Sequence, residues 1–362
     1  MCRVFISPGK YVQGSGALQE IGRYASALGS KALIIGGKRA LAAAQGAVES
    51  SLGKAGLGVV VEGFRGECSK TEIKRVTGIA KKNSVDLIIA VGGGKAIDTG
   101  KAVACGLKLP VVVVPTIAAT DAPCSTVSAI YADNGVFEGA EVAPHNPNCV
   151  LVDTDIITNA PVDTLVAGMG DALATFWEAD SCYKSQNPNP LTGGTPPSEA
   201  AYMLARLCYD TLLRWGVEAK LSAERKVVTP ALEKIVEANI LLSGLGFESG
   251  GLAGAHSVCL ALDVLPAPRK RYHGEKVAFG TLVQLVMEGR SREEINEVMG
   301  FCRSVGLPTN LAALGVIAPS EGDIMRVAES ATREGRPIHS TWFPVTAKMV
   351  YGAIWTADAI GS

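Results

Sequence analysis

Five short apolar runs among the first 153 residues, with helix-like segments between them, constrain this chain's fold more than any other feature. They are Lys31–Gly36, Val59–Glu62, Val85–Val91, Leu109–Pro115 and Val150–Asp153. Continuous Val, Ile and Leu without polar alternation mark strands covered on both faces, as in a parallel sheet flanked by helices. Thr71–Lys82 reads as one intervening helix, with Ser69 placed to cap it. Parallel sheets take ligands beyond the carboxyl ends of their strands. The loops after Ile35, Val91 and Val114 are therefore the first places to look.

Beyond about Pro161 the pattern changes to long helical periodicities: Val162–Tyr183, Ser198–Trp215, Thr229–Leu245, Gly250–Leu262, Glu275–Met287, Arg292–Ser304, Ser320–Glu334 and Thr346–Ile360. The Pro/Gly-rich stretch Asn187–Pro197 is a loop between two of them. The expected architecture is an α/β domain with a parallel Rossmann-like sheet over residues 1–160 and an all-helical domain over 161–362. No internal repeat is visible.

Composition excludes several classes. Lys and Arg (34) balance Asp and Glu (35), and no basic block stands out, which argues against nucleic-acid binding. Hydrophobic residues make up 48%, so the chain packs rather than staying disordered. No apolar run is long enough to span a membrane. Nine cysteines are scattered with no C-x-x-C pair, and the N-terminal residues show no signal-peptide core. Reduced thiols in a cytoplasmic protein are expected.

Gly92-Gly93-Gly94-Lys95 follows the apolar run Leu87–Val91 and opens into the helical sequence Ala96–Val103. Glycines let backbone N–H groups approach a ligand, and a helix start carries partial positive charge, so this turn suits a diphosphate. It is neither G-x-G-x-x-G nor a P-loop, and glycine turns also join strands to helices without any ligand. Both readings stand on this segment alone.

The chain has four histidines, His145, His256, His273 and His339. His256 falls on a helical segment, His273 just before another, and Asp171 inside a helix of small residues, where a carboxylate needs a partner. Two imidazoles and a carboxylate would make a three-ligand zinc site with an open position. A lone helical His or Asp is also an ordinary hydrogen-bonded or solvated residue, and spacing alone does not bring these three together.

The chain resembles the glycerol dehydrogenase family, within the metal-dependent alcohol dehydrogenases called iron-containing, whose architecture is like that of dehydroquinate synthase. The similarity runs through Arg3–Gly14, Val91–Lys95, Pro115–Pro123, Val227–Glu233, Leu242–Gly251 and His273–Thr281. It implies oxidation of glycerol or a related vicinal diol to the hydroxyketone by hydride transfer to NAD. It implies Zn²⁺ on Asp171, His256 and His273, the diphosphate on Gly92, Gly93, Gly94 and Lys95, and Asp121 hydrogen-bonded to substrate hydroxyls. Thr116, Ser125, Val127 and Tyr131 fall on further cofactor-contact positions, and Asp98 and Ala119 are grouped with them. Asp121 and the three metal positions make the implied catalytic set. Such enzymes are homo-oligomers, often octamers.

The sequence departs from the family pattern in places. Gly37 stands where a carboxylate usually binds the adenine ribose, and Lys38 and Arg39 follow it. Two cations there suit a 2′-phosphate, which makes NADP a possible cofactor, or they are simply a solvated helix start. Ser257-Val258-Cys259 follows His256 where the family continues His-Asn-Gly, Ser340 follows His339 where Asn is common, and Ala119 replaces a frequent Ser. Cys259 is either a thiolate ligand or a packed core residue. The alternative activity is an NADPH-dependent reductase of 2-oxo acids or hydroxyketones on the same fold. A lyase of the dehydroquinate synthase type needs a cluster of basic groups that the sequence does not display. A non-catalytic nucleotide-binding subunit would bind cofactor regardless of Asp171.

Overall fold

The structure, a computed structural model, describes residues 2–362. Its strands are β1 (Tyr11–Gly14), β2 (Lys31–Gly36), β3 (Gly58–Gly63), β4 (Leu87–Gly92), β5 (Val111–Pro115), β6 (Val127–Tyr131), β7 (Phe137–Val142) and β8 (Cys149–Asp153). The helices that accompany them are α1 (Ile21–Ala25), α2 (Lys38–Lys54), α3 (Lys70–Lys82), α4 (Gly94–Leu107) and α5 (Thr154–Asn159). Then follow α6 (Val162–Ser185), α7 (Glu199–Glu224), α8 (Pro230–Glu237), α9 (Ser243–Gly250), α10 (Gly254–Leu262), α11 (His273–Met287), α12 (Arg292–Val305), α13 (Glu321–Ala331) and α14 (Ala347–Gly361). The described residues form two compact units: one of Ser7–Val162 with Ser222–Leu241, the other of residues 2–6, Asp163–Leu221 and Leu242–Ser362.

The first unit is built on a six-stranded sheet in the order β1-β8-β5-β4-β2-β3, parallel throughout. Every residue of β4, β5 and β8 is buried, which is why these strands read as unbroken apolar runs. The edge strands β1 and β3 are only half-buried. Gly36 pairs with Val91, and Gly92 with Pro115, so β2, β4 and β5 end side by side. Ser69 caps α3, its hydroxyl accepting from the Glu72 amide at 3.2 Å. An antiparallel hairpin of β6 and β7, unforeseen in the sequence, stands apart from the main sheet.

The helical unit is centred on α6, whose residues Thr164–Cys182 are all buried. A helix covered all round needs no polar face, which matches its run of Ala, Gly and Met. Within this unit α10 packs along α11, and α14 lies against both α11 and α13. The helix expected over Thr229–Leu245 is instead α8, a π-helical turn at Ala238–Leu242, and α9. Gly251, with φ of 97°, ends α9 and separates it from α10, so the helix expected from Gly250 begins at Gly254. The helix containing Trp215 runs on to Glu224.

Candidate metal centre and cofactor loops

Three helices of the second unit bring Asp171, His256 and His273 together. Asp171 sits in the middle of α6, His256 on the first turn of α10, and His273 is the first residue of α11. Two close helix contacts set this geometry. A Cβ on Gly274 would lie 1.7 Å from the Ala167 carbonyl oxygen, and one on Gly280 would lie 2.4 Å from that of Ala255. Backbone therefore meets backbone where α11 crosses α6 and α10, and the side chains beside these contacts converge.

Asp171 is buried, and neither of its carboxylate oxygens has a hydrogen-bond partner among the described residues. His256 Nε2 lies 3.4 Å and His273 Nε2 3.3 Å from Asp171 Oδ1. These separations exceed the 2.7–2.9 Å of a charge-assisted hydrogen bond. They match the edge of about 3.3 Å expected between ligand atoms around a tetrahedral ion with bonds of about 2.0–2.1 Å. One ligand atom from each residue falls within 4.8 Å of the others. A buried carboxylate without a donor, faced by two imidazoles, is the donor set a divalent metal takes, and the residues present fit such an ion.

The groups behind the two rings differ. Glu178, fully buried on α6, places Oε2 2.6 Å from His256 Nδ1, and its Oε1 accepts from the amides of Ala253 at 2.8 Å and His256 at 2.9 Å. This leaves His256 Nε2 facing Asp171. Behind His273, the Cys259 sulfur lies 3.5 Å from Nδ1, outside the three-residue group. Burial opposes the charged form of His256, but Glu178 and Asp171 outweigh it and raise its pKa well above 6.5. For His273 burial likewise opposes charge, while Cys259 and Asp171 push the pKa up to about 10. Burial would raise the pKa of Asp171, yet His273 and His256 hold it below the usual carboxylate range. A metal-free site thus carries protons where an ion would sit.

The cofactor candidates belong to the α/β unit. Gly92 ends β4 with φ of 147°, a conformation open to glycine, Gly93 caps α4, and Gly94 begins it. The first amides of α4 have no partner within the helix and are available to an anion. Thr116 follows β5, and its amide donates to the Gly92 carbonyl at 3.0 Å. Lys95 pairs with Glu67 at 2.5 Å and lies 5.0 Å above the Tyr131 ring. Asp98 is buried, 3.0 Å from Lys101 and accepting from the Ala129 amide at 3.1 Å, so its carboxylate anchors the hairpin. Lys101 in turn donates to the carbonyls of Ala122, Ser125 and Val127. Ala119 and Asp121 are buried in the loop after β5. Gly37 caps α2 with open space around it, and Lys38 and Arg39 are exposed at that helix start.

Sequence reasoning missed Glu178. Its signal is an acid seven residues after Asp171, and so on the same face of α6. His339 is not part of the metal group; its Nε2 bonds the carbonyls of Thr332 and Arg333. Ser257 accepts from the Ile338 amide at 2.8 Å, which ties α10 to the turn that carries His339.

The family model for iron-containing alcohol dehydrogenase matches residues 8–154. A glycerol dehydrogenase of Thermotoga maritima is 50% identical over all of this chain and 98% of its own length. The chain belongs to the glycerol dehydrogenase branch of the iron-containing alcohol dehydrogenases. A glycerol dehydrogenase of Pseudomonas putida is 48% identical, again over all of this chain and 98% of its own. The crystal structure of glycerol dehydrogenase from Schizosaccharomyces pombe superposes with a TM-score of 0.95 at 36% identity, over 99% of this chain and 91% of that one. As a member of this family, the chain is an alcohol dehydrogenase.

Proposed function

We propose that this chain oxidises glycerol, or a closely related vicinal diol, to the hydroxyketone with NAD, using Zn²⁺ held by Asp171, His256 and His273. The observation that carries the reading is the buried, donor-free carboxylate of Asp171 with two imidazole nitrogens 3.3 and 3.4 Å away. Full-length similarity to glycerol dehydrogenases supports the substrate class. A divalent ion bound there supplies Lewis acidity that lowers the proton affinity of an alcohol oxygen.

The protein's own groups do the rest. Asp171 supplies the negative charge that keeps a cation in a buried place. Glu178 fixes the tautomer and direction of His256. Gly92, Gly93, Gly94 and Lys95, with the amide-rich start of α4, cradle the dinucleotide diphosphate, and Asp121 orients a second hydroxyl, favouring polyols over simple alcohols. In the reaction the carbinol carbon gives a hydride to the nicotinamide and the hydroxyl gives a proton to solvent. The free thiols, none in a disulfide, suit a cytoplasmic setting. The chain works as a homo-oligomer.

A second reading concerns the cofactor. Lys38 and Arg39 are exposed beside the side-chain-free Gly37 at the carboxyl end of β2, and neither makes an ion pair among the described residues. This favours acceptance of a 2′-phosphate, and with it NADPH-dependent reduction of hydroxyketones or 2-oxo acids. A panel of glycerol, 1,2-propanediol and 2-oxobutanoate with each cofactor, on zinc-loaded enzyme, separates the readings. Turnover of the diols with NAD supports the first; turnover confined to 2-oxobutanoate with NADPH replaces it with the second.

A further inference from the structure

We infer that α7 is a two-fold interface at which a second copy of this chain packs antiparallel. Along this 26-residue helix Met203, Leu207, Val217 and Leu221 are exposed by 54, 51, 38 and 54%. Asp210 and Arg214, also exposed, lie between them. The six positions follow the alternating four- and three-residue spacing of a coiled-coil seam, so they form one stripe down the helix. Four large apolar side chains in one such row are uncommon on a surface that stays in water.

The stripe is its own complement when reversed. An antiparallel copy centred on Leu212 sets Met203 against Leu221 of the other helix and Leu207 against Val217. It sets Asp210 against Arg214 on both sides of the centre. Every apolar residue meets an apolar one and every charge its opposite. A parallel copy would set Asp210 against Asp210 and Arg214 against Arg214. Charged residues inside a coiled-coil seam fix register and orientation at some cost in stability, and here they select the antiparallel, isologous arrangement. In the single chain Asp210 pairs with Arg206 at 2.8 Å, and the Arg214 guanidinium lies 4.9 Å from the Trp215 ring centre. In the pair each would exchange that neighbour for the opposite charge of the other copy. The inference builds on the assembly proposed above and does not depend on the substrate.

The test uses two charge reversals and their mixture. Asp210→Arg and Arg214→Asp each place like charges at both symmetric contacts. Mixing the two variants makes every contact in the mixed pair opposite again. Sedimentation velocity of the zinc-loaded full chain at micromolar concentration should give each variant half the wild-type mass or less, with dissociation at least about tenfold easier. An equimolar mixture should return to the wild-type mass. Leu207→Glu should also dissociate, with unchanged circular dichroism. Variants that keep the wild-type mass, or a mixture that stays dissociated, would overturn the α7 interface. A wild type that is monomeric would overturn both this inference and the proposed assembly.

Discussion

Glu178 Oε2 lies 2.6 Å from His256 Nδ1, while the other oxygen of the same carboxylate holds the amides of Ala253 and His256. One buried acid therefore fixes both the ring and the backbone that carries it. A carboxylate behind a histidine ligand commonly sets its tautomer and basicity, and its loss costs about 10–100-fold in metal affinity. Glu178→Gln is expected to weaken zinc binding by that order, read by chelator competition. It should also shift the visible spectrum of the Co²⁺-substituted protein. Unchanged affinity and spectrum would leave Glu178 as packing alone.

The pH response of the metal-free protein follows from the raised histidines. A group whose folded pKa is above its unfolded value stabilises fully below the unfolded value and loses that contribution as pH rises through the folded one. His273 moves from 6.5 to about 10, and His256 shifts the same way. The Tm of the metal-free protein should therefore fall as pH climbs from 6.5 towards 10. Asp171, held low, adds stability that is lost only in acid. Zinc must displace the ring protons, so its affinity should rise with pH across the same window. Calorimetry in buffers of different ionisation enthalpy should detect close to two protons released per zinc at neutral pH. No release would show that the rings are already neutral.

The contact between α6 and α11 makes a sharper mutational prediction. With Ala at position 274 the new Cβ would overlap the Ala167 carbonyl, so the helices must part. Gly274→Ala should cost stability at or above the upper end of the about 1–3 kcal/mol typical of overpacking. It should also strip metal, because His273 begins the helix that moves. Thermal unfolding with metal analysis checks both; a stable variant that loads zinc normally contradicts the argument.

Cofactor choice is open to direct manipulation at the end of β2. Lys38→Ala with Arg39→Ala should lower kcat/KM for NADP by about tenfold or more, the scale of a lost charge-assisted contact, with little change for NAD. Gly37→Asp should favour NAD further. Equal losses with both cofactors would mean that these cations do not meet a 2′-phosphate.

The parallel sheet was legible because burial on both faces leaves its mark on every residue of β4, β5 and β8, and on all of β2 after Lys31. The hairpin of β6 and β7 was not: Phe137–Val142 is largely exposed and contains a glycine, so no apolar period marks it. The metal group was legible only through resemblance. Its members come from three helices far apart in sequence, and their convergence depends on glycine contacts at Gly274 and Gly280 that look like any other glycines on paper. Glu178 needed the structure as well, because an acid in a helix reads as solvated until the helix is known to be covered all round. Cys259, ambiguous between ligand and core in sequence, lies behind His273 rather than beside Asp171.

The central claim is that Asp171, His256 and His273 hold the metal on which alcohol oxidation depends. Its most direct test is zinc content and glycerol-dependent NAD reduction in metal-stripped wild type and Asp171→Asn, before and after zinc is restored, with NAD binding as the control for folding. The account predicts that wild type takes up one zinc per chain and regains activity. Asp171→Asn should bind NAD normally yet neither retain zinc nor turn over. Full activity without metal, or normal zinc loading by Asp171→Asn, would contradict it.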